Sequence, residues 1–157
     1  MKSEVKKILE TFLVIMKEMD SDSVVSALGG VIEHFGDEIT PFAMDILHHL
    51  KQNFMHLVQK DEDEDSDEDG EIQMAAYSVL CAIRKILVSP LKIEVYLKAF
   101  YLIEPIILHC FSTKGLDYLD EAAPLLGIFV YKIYPLPEEI WFYFPILCYI
   151  LAGNPNQ

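Results

Sequence analysis

The sequence predicts an all-α chain whose helix pairs lie against one another in an open row. Three observations carry this. Apolar residues recur at 3.6-residue spacing in seven successive segments. Start signals precede several of them: Asp22, Thr40-Pro41, Asp117 and Pro137. From Glu71 to Asp117 the step is 46 residues, within the range of two-helix repeats.

The first segment covers residues 4–19, with Val5, Ile8, Leu9, Phe12, Ile15, Met16 and Met19 on one stripe. The second follows Asp22, a good N-cap, and carries Val24, Val25, Leu28, Val31, Ile32 and Phe35. Its Gly29-Gly30 pair costs helix stability and is expected to admit a close neighbour or a kink. The third is capped by Thr40, with Pro41 in the first turn, where a missing N–H is harmless. Ala43, Ile46, Leu47, Leu50, Phe54, Leu57 and Val58 follow, and the helix is expected to end at Gln59.

Residues 60–70 read as a disordered acidic loop, because like charges repel and no apolar residue anchors them. The fourth helix begins near Glu71 and carries Ile72, Ala75, Ala76, Val79, Leu80, Ile83, Ile86 and Leu87. Ser89-Pro90 stops it. The fifth, 91–111, buries Ile93, Leu97, Phe100, Tyr101, Ile107 and Leu108, with a kink or break expected at Pro105. The sixth starts at Asp117 and buries Leu119, Ala122, Ala123, Leu126, Phe129 and Val130, with Pro124 inside. The seventh starts at Pro137, with Trp141 and Phe144 sharing a core face and Phe142 and Tyr143 pointing elsewhere.

Pairing the second helix with the third, fourth with fifth, and sixth with seventh gives about three and a half repeats over residues 1–157. The fold class is then a right-handed α-solenoid of HEAT/armadillo-like helix pairs, in which stacking buries faces that one pair cannot hide. A closed helical bundle is the alternative topology. A strand over 143–151 is disfavoured by Pro145. Positive mean hydropathy, +0.26, fits a piece of a longer stack.

Of the net charge of −13, residues 61–71 supply nine acids and no base. Such a field repels phosphate backbones, so direct nucleic-acid binding is not expected; a basic protein surface is the natural partner. Three scattered cysteines form neither a disulfide framework nor a zinc cluster, which favours a reducing compartment. No signal peptide is visible, and the apolar stretch at 140–151 is too short to span a membrane.

No phosphate loop, nucleophile elbow or metal-binding histidine spacing occurs, so neither enzyme activity nor a cofactor is expected. The partner-binding candidates are Asp61, Glu62, Asp63, Glu64, Asp65, Asp67, Glu68 and Asp69. Ser66, followed by acids, is a candidate phosphosite. Asp117 with Asp120, and Glu138 with Glu139, read as acids stabilising helix starts.

The stretch VIEHFGDEITPFAMDILHHLKQ from Val31, the acidic loop, AAYSVLCAIRKILVS from Ala75, YLIEPIILHCFSTKGLDYLDEAAPLLGIF from Tyr101 and PEEIWFYFPILCYIL from Pro137 occur in that order. Together they resemble the C-terminal half of the importin-beta superfamily, particularly its importin-seven/importin-eight branch. The match runs from about Ala27 onward, and the helix with Pro137, Ile140, Trp141 and Pro145 is its most specific part. The resemblance implies a HEAT-repeat nuclear transport receptor shuttling between cytoplasm and nucleus. It implies basic cargo proteins, the small GTPase Ran bound by the full-length protein, and phenylalanine-glycine nucleoporins as partners. The family's N-terminal Ran-binding repeats are not in this chain. A non-transport α-solenoid scaffold is the other function open to such a chain.

Overall fold

The computed structural model describes residues 4, 7–8, 10–12, 14–15, 22–34, 36–63 and 70–152. Among these, six helices of nine residues or more carry the fold. They are α1 (Asp22–His34), α2 (Ala43–Asp63), α3 (Glu71–Val88), α4 (Ile93–Cys110), α5 (Leu119–Lys132) and α6 (Tyr143–Leu151). The described residues contain no strand. Of the helix expected over 4–19, the described residues are helical and Phe12 packs on the core; the rest lies outside the described residues.

The helices form two layers. α3 lies between α1 and α5 in one layer; α2 and α4 lie side by side in the other. α3 also packs extensively on α2, and α4 on α5. Both outer members of the row α1–α3–α5 pack against α3. The closest chain-adjacent pairs are α2 with α3 and α4 with α5. This shifts the expected pairing by one helix. An apolar stripe says which face of a helix is buried, not which neighbour covers it.

Contacts along the row α1–α3–α5 fix its register. Tyr77 donates its hydroxyl to the Asp117 carbonyl, and Cys81 Sγ lies 3.7 Å from Glu121 Oε2; both pairs are 40 residues apart. The constant offset makes α3 and α5 parallel neighbours. Between α1 and α3, Lys85 Nζ meets Glu33 Oε2 at 3.0 Å across 52 residues. The second offset exceeds the first by 12 residues, and the acidic run falls within it. Arg84, the residue before Lys85, pairs with Glu121 at 3.3 Å. Two successive side chains of α3 thus reach its two flanking helices.

The stripes expected for α2 and α3 are buried almost residue for residue. Ile46, Leu47, Leu50 and Phe54 have no exposed surface, nor do Val79, Leu80, Ile83 and Leu87. Each large side chain so buried contributes about 1.5–3 kcal/mol. On α4 the buried face is Tyr96, Ala99, Phe100, Ile103, Ile106, Ile107 and Cys110, while Ile93, Leu97, Tyr101 and Leu108 are exposed. Apolar residues surround this helix, so its pattern has no unique phase. On α5, Val130 is likewise exposed and Leu125 takes the core position.

Several local expectations change with backbone geometry. Thr40 does not cap α2: Thr40–Phe42 is a 3₁₀ turn, and Thr40 Oγ1 donates back to the Gly36 carbonyl at 3.4 Å. α4 runs unbroken through Pro105. Gly29 faces Lys85 at ordinary contact distance, so no close backbone approach requires it. Residues Glu138–Phe142 form a 3₁₀ helix, where i and i+3 eclipse. Pro137, Ile140 and Tyr143 therefore share the buried side, and Trp141 and Phe144 are exposed. The α-helical spacing assumed from sequence had reversed these roles.

Candidate functional site

The acidic run begins inside α2. Helix α2 continues through Asp63, past the Gln59 end expected, so Asp61, Glu62 and Asp63 belong to its last turns. Asp61 is exposed. Glu64, Asp65, Ser66, Asp67, Glu68 and Asp69 lie outside the described residues. Gly70 then adopts φ 66°, a left-handed conformation that glycine enters without a Cβ penalty, and starts α3 before Glu71. Acids at the end of α2 add to the partial negative charge of its last carbonyls. This end of the molecule is therefore strongly negative.

Neighbouring elements deepen that field, which the sequence reading missed. Tyr118 sits in the 3₁₀ turn Leu116–Tyr118 and is almost fully buried. Its ring meets Phe54 and Tyr77 edge-on, at 5.7 Å and 5.3 Å between centroids. Burial first, then the Asp61 charge, pushes its phenol up to about 12. Burial also raises the Tyr77 phenol, with Asp117, Asp120 and Glu121 adding to the shift. Asp61 and the acids around the α4–α5 turn thus act on the same aromatic cluster. Asp117 and Asp120 start helical turns, as expected, and also extend the acidic surface. The available signal was the run Asp117, Tyr118, Leu119, Asp120, Glu121 following a glycine turn.

The turn is rigidly specified. Ser112 donates to the His109 carbonyl twice, from Oγ at 2.6 Å and from N at 3.0 Å. Gly115 donates its N–H to Ser112 O at 3.1 Å, and Tyr118 donates to Gly115 O at 2.9 Å. A groove of about 590 Å³ runs beside the cluster, lined on α2 by Lys51, Gln52, Met55, His56, Val58 and Gln59 and on α4 by His109.

Among the described residues no group of three or more His, Cys, Asp or Glu is placed to hold a metal ion. No helix among them is long and apolar enough to cross a membrane. Cys81, Cys110 and Cys148 are free thiols.

The geometry defines a stacked-helix scaffold with one acidic end. Two relatives match most of the chain. The "Probable importin-7 homolog" of Dictyostelium discoideum is 26% identical over 140 residues, 88% of this chain and 13% of its own length. The "Importin beta-like SAD2 homolog" of Arabidopsis thaliana is 25% identical over 142 residues, 90% of this chain and 14% of its own length. The chain therefore spans about a seventh of these relatives or less. No family model and no solved structure matches. The relationship is a distant, partial homology to importin-beta-superfamily members, consistent with a karyopherin-like helical fold.

Proposed function

We propose that this chain is part of a nuclear transport receptor of the importin-seven/importin-eight kind, and that residues 61–69 attract basic cargo proteins. The observation carrying this reading is the acidic end. Asp61 at the end of α2 and Asp117 and Asp120 at the start of the next helical turns act with charge of one sign on the joined Tyr118 and Tyr77 rings. The names of the two relatives supply the transport context. On this reading the helix pairs form a right-handed solenoid. The full-length protein shuttles between cytoplasm and nucleus, responds to Ran in its GTP state and contacts phenylalanine-glycine nucleoporins. Phosphorylation of Ser66 would strengthen the acidic field.

The test is binding of a lysine-rich histone tail peptide across salt concentrations. Replacing the eight acids of 61–69 by their amides should lower affinity about tenfold or more at low salt. It should also flatten the salt dependence, because screening acts on the removed charges. Unchanged affinity and salt slope in that variant would remove the acidic run from the function.

A further inference from the structure

A second surface, distinct from the acids at the end of α2, has the chemistry to recognise a cation. It is built on the 3₁₀ helix Glu138–Phe142 and the adjacent face of α4. Because that turn is 3₁₀, Ile140 goes into the core and Trp141 and Phe142 are turned out, 61% and 72% exposed. Glu138 and Glu139 share an open notch of about 640 Å³ with these two rings. Tyr101 of α4 reaches the notch, with its hydroxyl 3.5 Å from Glu139 Oε2. Among the described residues neither glutamate is paired with a cation. At this site the Tyr101 hydroxyl, two carboxylates and two exposed aromatic rings converge.

We infer that Glu138, Glu139, Trp141 and Phe142 form a docking site for an arginine or lysine side chain on a basic peptide segment. Complementarity fixes the occupant. Carboxylates neutralise the charged head, and the negative faces of aromatic rings attract a cation within about 6 Å of their centres. An apolar peptide would leave the two carboxylates facing it without partners, at a desolvation cost. Arginine suits the site best, since its planar guanidinium stacks on a ring while its N–H groups reach a carboxylate. This site does not depend on the acidic run and stands or falls separately from it.

Trp141 is the single tryptophan of the chain, so its emission reports this site directly. The experiment titrates the full chain with a 15-residue peptide of alternating arginine and glycine. The control peptide carries citrulline, a neutral isostere, in place of arginine. The expected result is a saturable change in Trp141 emission with the arginine peptide and none with citrulline. Glu138→Gln combined with Glu139→Gln keeps side-chain size and an acceptor for Tyr101, and should weaken binding about five- to tenfold. Amide replacement of the acids in 61–69 should leave the emission response in place. The inference is overturned by an unchanged emission, by equal binding of the citrulline peptide, or by a response that the 61–69 variant alone abolishes.

Discussion

Gly115 is where a single added methyl should do most harm. A Cβ built there would stand 2.1 Å from the His109 carbonyl oxygen and 2.7 Å from Cys110 Cα. The obstruction is backbone, so no side chain can swing aside. The carbonyl itself is pinned, because it accepts both hydrogen bonds from Ser112. Relieving the clash means opening the turn and losing these bonds, at about 0.5–1.5 kcal/mol each, or keeping an overpacked turn at about 1–3 kcal/mol. The backbone φ is −106°, open to any residue, so conformational strain adds nothing. Reduced freedom of the unfolded chain returns about 0.4–1 kcal/mol. Gly115→Ala should therefore destabilise by about 1–3 kcal/mol. Gly127→Ala is the internal control, since a Cβ at this α5 position meets nothing within 4 Å. It should stabilise by about 0.5–1 kcal/mol through helix propensity. Urea unfolding followed by circular dichroism reads both as opposite shifts in midpoint at constant slope. A midpoint for Gly115→Ala at or above that of the parent chain would refute the reasoning.

Three further outcomes follow from burial. Tyr96 is buried and its hydroxyl reaches the Ser89 carbonyl at 2.7 Å and that of Leu87 at 3.1 Å, closing the end of α3. Tyr96→Phe should lower the unfolding free energy by about 1–2 kcal/mol, measured in urea, with the contact of Lys132 over the ring retained. Burial raises the Tyr118 phenol from 10.0 to about 12, so the folded state disfavours its ionised form. That stability is complete below pH 10 and is lost as pH rises towards 12; Tyr118→Phe should flatten this part of a pH–stability profile. With a disulfide reagent at pH 8, exposed Cys148 should react first and Cys110 last, because Cys110 is enclosed and its thiol is pushed up to about 12 by burial. Mass spectrometry of the labelled peptides gives the order.

The core of α2 and α3 was legible because these helices are amphipathic: polar residues mark the outer face, so the apolar phase is unique. α4 lacks that contrast, and its buried face was misplaced onto Leu97, Tyr101 and Leu108. The partners of each helix could not be read at all, since Tyr77 with Asp117 and Lys85 with Glu33 meet across 40 and 52 residues. The start at Pro137 was legible from the proline and its two glutamates, but not that the turn would be 3₁₀, which decides between Tyr143 and Trp141 for the core. Of the candidate site, the sequence supplied the acids of 61–69 as an expectation. It missed that Asp61 would stand near Tyr118 and join the acids of a distant turn.

The unequal offsets of 40 and 52 residues show that α3 reaches its two flanking helices over connections of different length. Doubling such a connection costs only about 0.6 kcal/mol in closure entropy. The span between Asp63 and Gly70 is thus a natural seam. A reporter domain, a protease recognition sequence or a new pair of chain ends could be grafted there, and the layers on either side would assemble as before.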